Sequence, residues 1–297
     1  MSKPRVAILG LGIMGAGMAR RLLSLDFPVA VYNRNAERAK PFSGSGAFVA
    51  DSAADAASRS DVVISMVADD DASRSIWLGE KGALAGVASG QVLLECSTLS
   101  VKWIRELADA AAKRECELLD APVTGSKPQA AAGELLFLVG GSQQALEKTR
   151  PVFSALGRDA LHFGPTGSGA LMKLINNFMC GVQAASFAEA ISLIEAGGLD
   201  RNKAVSVLTG GAPGSPLVKV IAARAEAEDA APNFELRLMA KDLRYANEES
   251  QRLRQSGMEI AVSARKLFEE AIVAGYGEKD FSAVLQFSSK DKSNGNR

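Results

Sequence analysis

Histidine is almost missing from this chain: a single residue, His162, in 297. Acid–base schemes built on imidazole are therefore excluded unless that residue serves, and its setting at an expected strand end favours a structural role. Proton transfer falls to lysine, tyrosine or a carboxylate. Cysteine is scarce as well, since Cys96, Cys116 and Cys180 are odd in number, far apart and without a CxxC pair. Neither a disulfide framework nor a zinc site is expected. An excess of one charge is also lacking, with 34 Lys+Arg against 34 Asp+Glu, which removes the basic field that nucleic acid or an anionic membrane would need. Any bound anion must be held by local groups. No uninterrupted apolar run reaches membrane-spanning length, and the opening Met1 to Arg5 passes into a strand without an apolar signal region. The expectation is a cytoplasmic protein with no nucleic-acid or membrane partner.

What is present is a hydrophobic content of 47%, enough for one large or two medium domains. The apolar run Arg5 to Leu9 leads into Gly10-Leu11-Gly12-Ile13-Met14-Gly15 and then a helical stretch to Leu25. Strand, glycine turn and helix start are the context in which GxGxxG binds a dinucleotide. Gly10 permits the turn, Gly12 lets a pyrophosphate approach, and Gly15 lets the helix pack close to the strand, so Gly10, Gly12, Ile13, Met14 and Gly15 are cofactor candidates. The second strand, Pro28 to Tyr32, ends in Asn33-Arg34. An acid there would accept from the ribose 2′-OH and repel a 2′-phosphate. The acid is missing, while Arg34 and Arg38 can pair with a phosphate, so NADP(H) is expected over NAD(H).

Further strands recur at 61–66, 91–96, 117–120, 135–139 and 160–163, separated by Ala-rich helical stretches. This alternation specifies a doubly wound parallel sheet. Ligands in such sheets sit beyond the strand carboxyl ends, which brings Met66, Val67, Thr98 and the 120–126 turn to one crevice. From Ser168 the pattern turns to helices only, led by an apolar stretch to about Ala196 that Gly197-Gly198 close. The domains expected are a Rossmann domain over 1–165, an all-helical domain over 166–287 led by a long interdomain helix, and a disordered tail over 288–297. So long a helix suggests a partner subunit that helps cover it, and a homodimer or homotetramer is expected. Within it Lys173 and Asn177 stand one turn apart on one face. A lysine among Leu171, Met172, Leu174 and Ile175 is costly to bury unless something anionic or polar meets it.

At four places in order the chain resembles the β-hydroxyacid dehydrogenase family: Gly10 to Gly15, Asp120-Ala-Pro-Val-Thr-Gly-Ser126, Gly167 to Asn177 and Met239-Ala-Lys-Asp-Leu243. The resemblance implies that Lys173 is the catalytic lysine and Asn177 the amide beside it. It implies that Thr124, Gly125 and Ser126 form the substrate-carboxylate loop, and that Thr98 and Lys241 lie near the nicotinamide and the substrate. The loop departs from the common Ser-Gly-Gly, and Gly-Ser-Lys together with Asn33-Arg34 looks like the NADPH-dependent glyoxylate/succinic semialdehyde branch. The implied activity is reduction of a small carboxylate-bearing aldehyde or keto acid, with Lys173 as general acid. Oxidation of a 3-hydroxyacid of 3-hydroxyisobutyrate or tartronate semialdehyde type, imine reduction and a non-catalytic dinucleotide-binding protein stay open as alternatives.

Overall fold

The computed structural model describes residues 3–227, 229 and 231–290, and the chain divides into two compact units at Lys173/Leu174. In the first unit the strands are β1 Val6–Leu9, β2 Val29–Tyr32, β3 Phe48–Val49, β4 Val62–Ser65, β5 Val92–Glu95, β6 Glu117–Asp120, β7 Val123–Thr124, β8 Leu135–Gly140 and β9 Gly157–Gly164. They form one sheet in the order β3-β2-β1-β4-β5-β6-β8-β7, with β9 also paired to β8. β1, β4 and β5 are buried at every residue. Short apolar runs of this kind belong in a parallel sheet covered on both faces. The sheet is parallel from β3 to β6. It then departs from the expected all-parallel pattern, because β8 runs antiparallel to β6 and β7 and parallel to β9. The helix between β6 and β8, Lys127–Ala132, has six residues, too few for a crossover that returns the chain to the start of the sheet.

Helices over this sheet begin where a short polar side chain caps them. Ser52, Asp69, Ser100 and Ser142 each accept from the backbone N–H three residues on, a device worth about 1 kcal/mol apiece. Val101–Ala112 shows the usual stripe, burying Val101, Ile104, Leu107 and Ala111 at the spacing that one helix face requires. The first core gathers Ile8, Met18, Leu22, Ile64, Leu94, Phe137 and Phe153, the last two with ring centroids 4.8 Å apart.

The long helix is Ser168–Ala196, 29 residues. It is long and apolar enough by length and composition to cross a membrane, and half of its most apolar window is buried within the protein. Its apolar surface is not all buried, since Ile175, Met179 and Leu193 are exposed. The second unit continues with Arg201–Gly210, Pro216–Glu226, Leu236–Arg254 and Glu259–Ala271, and its core includes Phe187, Ile191, Ile221, Met239, Leu243 and Phe268. A last helix, Val284–Lys290, enters the stretch expected to be a disordered tail. Ser288 is buried there, because Val284, Leu285 and Phe287 dock the helix on the core. Residues 291–297 of that tail lie outside the described residues.

Candidate active site

The glycine turn is built on main-chain clearance. Gly10 has φ +99°, and a β-carbon there would lie 2.4 Å from the Met66 carbonyl oxygen. At Gly15 a β-carbon would lie 2.0 Å from the Gly10 carbonyl oxygen. Side chains are thus excluded at both, by atoms that cannot move aside. Gly12 differs, having only the Arg38 Nη1 within 4 Å of such an atom, at 3.9 Å. Its face is open for a ligand. Ile13 and Met14 open the helix Ile13–Ser24, whose first turn contains no acid, so the helix dipole there favours an anion.

Asn33 has a task within the protein. Its Oδ1 accepts from the Leu11 N–H at 2.8 Å and its Nδ2 donates to the Asn35 carbonyl at 2.8 Å, so it braces the glycine turn against the end of β2. Arg34 and Arg38 are exposed, and neither guanidinium has an acidic partner among the described residues. A dinucleotide fits this cradle: the open Gly12 and the helix start suit a pyrophosphate, and the two arginines suit a further phosphate.

Met66 and Val67 follow β4, where the Val67 N–H donates to Ser97 Oγ at 2.8 Å. Ser97 is held in turn through Glu95, a residue not singled out in the sequence. Glu95 is fully buried. One oxygen accepts from the Ser97 N–H at 3.0 Å, and the other from Ser73 Oγ and Trp77 Nε1, both at 2.7 Å. Burial pushes its carboxyl up despite these donors. The half-buried Thr98 follows directly, so its loop rests on a fixed base.

In the 124–126 loop Gly125 has φ +114°, with room for a β-carbon only at 3.0 Å from Gln129 Cβ. Thr124 ends β7, and its hydroxyl has no partner among the described residues. Ser126 is otherwise engaged: Gln129 Oε1 accepts from both its N–H and its hydroxyl, each at 2.9 Å. To serve as a second donor to a substrate carboxylate, that hydroxyl would have to leave Gln129 Oε1.

Lys173 is half-buried in the second turn of the long helix. The start of this helix is tied to the end of β6. Asp120, wholly buried, accepts from the Gly167 N–H on Oδ1 and from the Ala170 N–H on Oδ2, both at 2.8 Å. Burial outweighs these backbone donors and lifts its carboxyl to about 6. The helix seats so low that a β-carbon on Gly169 would come within 2.2 Å of the Leu138 carbonyl oxygen and 2.6 Å of that of Asp120.

In the second unit Asn177 is buried. Its Nδ2 donates to Asp242 Oδ2 at 2.6 Å, and its Oδ1 accepts from Asn176 at 3.0 Å. Lys241 Nζ lies 3.1 Å from Asp242 Oδ1, with side-chain exposures of 11% and 0%. The pair is thus interior. Asp242 joins the two sequence candidates of this unit and was itself missed as a site residue; its place beside Lys241 is the signal. His162 stands outside these groups, with Nε2 2.8 Å from the Gly141 carbonyl oxygen. No cluster of metal-ligating residues occurs among the described residues.

A glycine turn with an open cradle at the head of a doubly wound sheet, followed by a long helix that carries a half-buried lysine and leads into an all-helical unit, defines a dinucleotide-dependent oxidoreductase class. Residues 5–164 match the NAD binding domain of 6-phosphogluconate dehydrogenase, and residues 167–288 match the NAD-binding domain of NADP-dependent 3-hydroxyisobutyrate dehydrogenase. The chain is 37% identical over 287 residues to the NAD-dependent L-serine dehydrogenase of Pseudomonas aeruginosa, covering 94% of this chain and 96% of that one. It is 33% identical over 281 residues to the chloroplastic glyoxylate/succinic semialdehyde reductase 2 of Arabidopsis thaliana, covering 95% and 78%. The solved structure of Mycobacterium tuberculosis 3-hydroxyisobutyrate dehydrogenase with L-serine superposes with a TM-score of 0.84 at 30% identity, covering 96% and 99%. The chain belongs to the β-hydroxyacid dehydrogenase family and is an NAD(P)-dependent oxidoreductase acting on CH–OH groups.

Proposed function

We propose that the protein reduces a small aldehyde or keto acid of the glyoxylate or succinic semialdehyde type and that NADP(H) is favoured over NAD(H). The observation that carries the cofactor reading is the pair of exposed arginines, Arg34 and Arg38, without acidic partners among the described residues, just beyond β2, where Asn33 stands in place of the acid that would repel a 2′-phosphate. When bound, the dinucleotide supplies the hydride. The chain's own residues supply the rest. Lys173, as an ammonium, stabilises the negative charge that grows on the carbonyl oxygen and then donates the proton. Asn177 is held by Asp242 and is assigned to orienting the lysine or the substrate. Lys241 is assigned to substrate and cofactor contact, and Thr124 with the Gly125 backbone to the substrate carboxylate. In the reverse direction a neutral Lys173 takes the hydroxyl proton, so hydroxyacid oxidation is expected to favour alkaline pH.

A second reading, oxidation of a 3-hydroxyacid, is supported by the relatives whose names include L-serine and 3-hydroxyisobutyrate. One experiment separates the two. Initial rates are measured with NADPH and NADH on glyoxylate, succinic semialdehyde, tartronate semialdehyde and methylmalonate semialdehyde, and with NADP⁺ and NAD⁺ on L-serine and 3-hydroxyisobutyrate. Higher kcat/KM on an aldehyde acid with NADPH is the expected result. Equal or higher efficiency with NADH sinks the cofactor reading, and turnover of hydroxyacids alone favours the second reading. Association of copies through the helical unit is also proposed, on the exposure of Leu193 at 72% and Val207 at 70%. A monomer by light scattering at micromolar concentration would remove it.

A further inference from the structure

Asp120 has no outlet to a ligand. It is wholly buried, both carboxylate oxygens accept from backbone N–H groups, and no cation among the described residues is paired with it. A serine or asparagine cap would satisfy an N–H there without burying a charge. The carboxyl is instead held against desolvation, which lifts it to about 6, so stability alone does not account for an acid at this point. What a carboxylate adds is a second attachment. Gly167 and Ala170 are three residues apart, and gripping both N–H groups from one side chain fixes the rotation of the first turn as well as its height above the sheet.

The rest of the seat is equally rigid. The main chain of Gly169 rests on the carbonyl oxygens of Leu138 and Asp120, and a β-carbon on Gly140 would lie 2.6 Å from Asp120 Oδ1. Lys173 is three residues beyond Ala170, one turn along the same side of the helix. Any rotation or lift of the first turn is carried to it.

We propose that Asp120 is a positioning residue of the reaction: by clamping Gly167 and Ala170 it sets where the Lys173 amine stands, and so controls turnover without touching substrate or cofactor. This rests on the reading of Lys173 as the general acid. A misplacement of about 1 Å in a catalytic group can cost on the order of a hundredfold in rate, while the glycine turn at Gly10 to Gly15 and its Arg34 and Arg38 do not depend on this clamp. The signature is therefore a loss in kcat with little change in KM for NADPH.

The test is Asp120→Asn. Its amide keeps one acceptor and turns an NH2 towards the second N–H, so one of the two attachments is lost. Steady-state rates with NADPH on the aldehyde acids above, and with NADP⁺ on L-serine, are measured for wild type, Asp120→Asn and Lys173→Ala, with NADPH binding and Tm as checks of folding. The expected result is a kcat lowered fivefold or more with both KM values within threefold. A smaller loss of kcat, or a loss confined to KM, overturns the proposal. If Lys173→Ala is inactive while Asp120→Asn is unaffected, only the clamp is wrong; if Lys173→Ala retains wild-type kcat, the reading of the lysine fails and the clamp with it. Should Asp120→Asn not fold, Asp120→Ser keeps one oxygen to accept from a first-turn N–H, removes the other and adds no bulk at the buried site. It is judged by the same thresholds.

Discussion

Asp120 and Asp242 are both wholly buried carboxylates, and each holds the long helix, one at its start through Gly167 and Ala170 and the other at Asn177. Their partners differ in kind. Asp120 faces only backbone N–H groups, and burial pushes it up to about 6. Asp242 faces a side-chain amide and the Lys241 ammonium at 3.1 Å. A main-chain clamp fixes geometry without a counter-charge, at the cost of an acid that titrates in a mild range. A side-chain clamp neutralises its charge locally, but depends on every member staying in place.

The largest expected effect tests the lysine on the long helix itself. Lys173→Ala should lower kcat by about 10²–10⁴-fold, the usual worth of general acid–base catalysis, while NADPH binding measured by fluorescence persists. Unchanged turnover would leave neither clamp a catalytic purpose. Next comes Asp242→Ala, which takes the carboxylate from beside a nearly buried Lys241 and the acceptor from the Asn177 amide. A loss of about 3–5 kcal/mol in urea unfolding is expected, and a loss below about 1 kcal/mol would put the two carboxylates on the same footing.

The main-chain clamp should show itself in pH. Between 3.8 and about 6 the folded chain keeps a proton on Asp120 that the unfolded chain has released. Its contribution to stability is fully present below the unfolded pKa and is lost as pH rises through the folded one. Two units correspond to about 3 kcal/mol. The stability of wild type relative to Asp120→Asn should therefore be greater near pH 4 than near pH 7.5, and an equal difference at both would mean that Asp120 does not titrate in this range. The smallest effect belongs to a third cap. Ser126→Ala should cost about 1 kcal/mol of stability and change substrate KM less than Thr124→Val does, because Gln129 already holds the Ser126 hydroxyl.

The parts that could be read from the sequence are those whose cause is local. Strands such as Val62–Ser65, the turn from Gly10 to Gly15 and the span of the long helix follow from apolar runs, glycine spacing and a glycine stop within a few residues of one another. Two-residue strands such as Phe48–Val49 and Val123–Thr124 carry too little pattern to be seen, and the reversal of β8 depends on which strand it meets. The site divides in the same way. Lys173, Asn177 and Lys241 are visible as polar groups in apolar or patterned surroundings, and the family resemblance marks them. Glu95, Asp120 and Asp242 each reach at least one partner that lies 22 to 65 residues away, and Asn33 is turned to the glycine loop by a bond across 22 residues. Side-chain type alone does not reveal such partners.

The crossing of Gly169 over β6 and β8 also bears on how this scaffold can diversify. What stands in the way of a side chain there is the main chain itself, the carbonyl oxygens of Leu138 and Asp120. A clash with a side chain can be relieved by a second, compensating substitution elsewhere, but a clash with a peptide group cannot. The residues around Thr124 that we assign to the substrate are thus free to drift one at a time, whereas the crossing admits no stepwise route to any residue but glycine. A library aimed at altered specificity should vary the first and leave the second untouched.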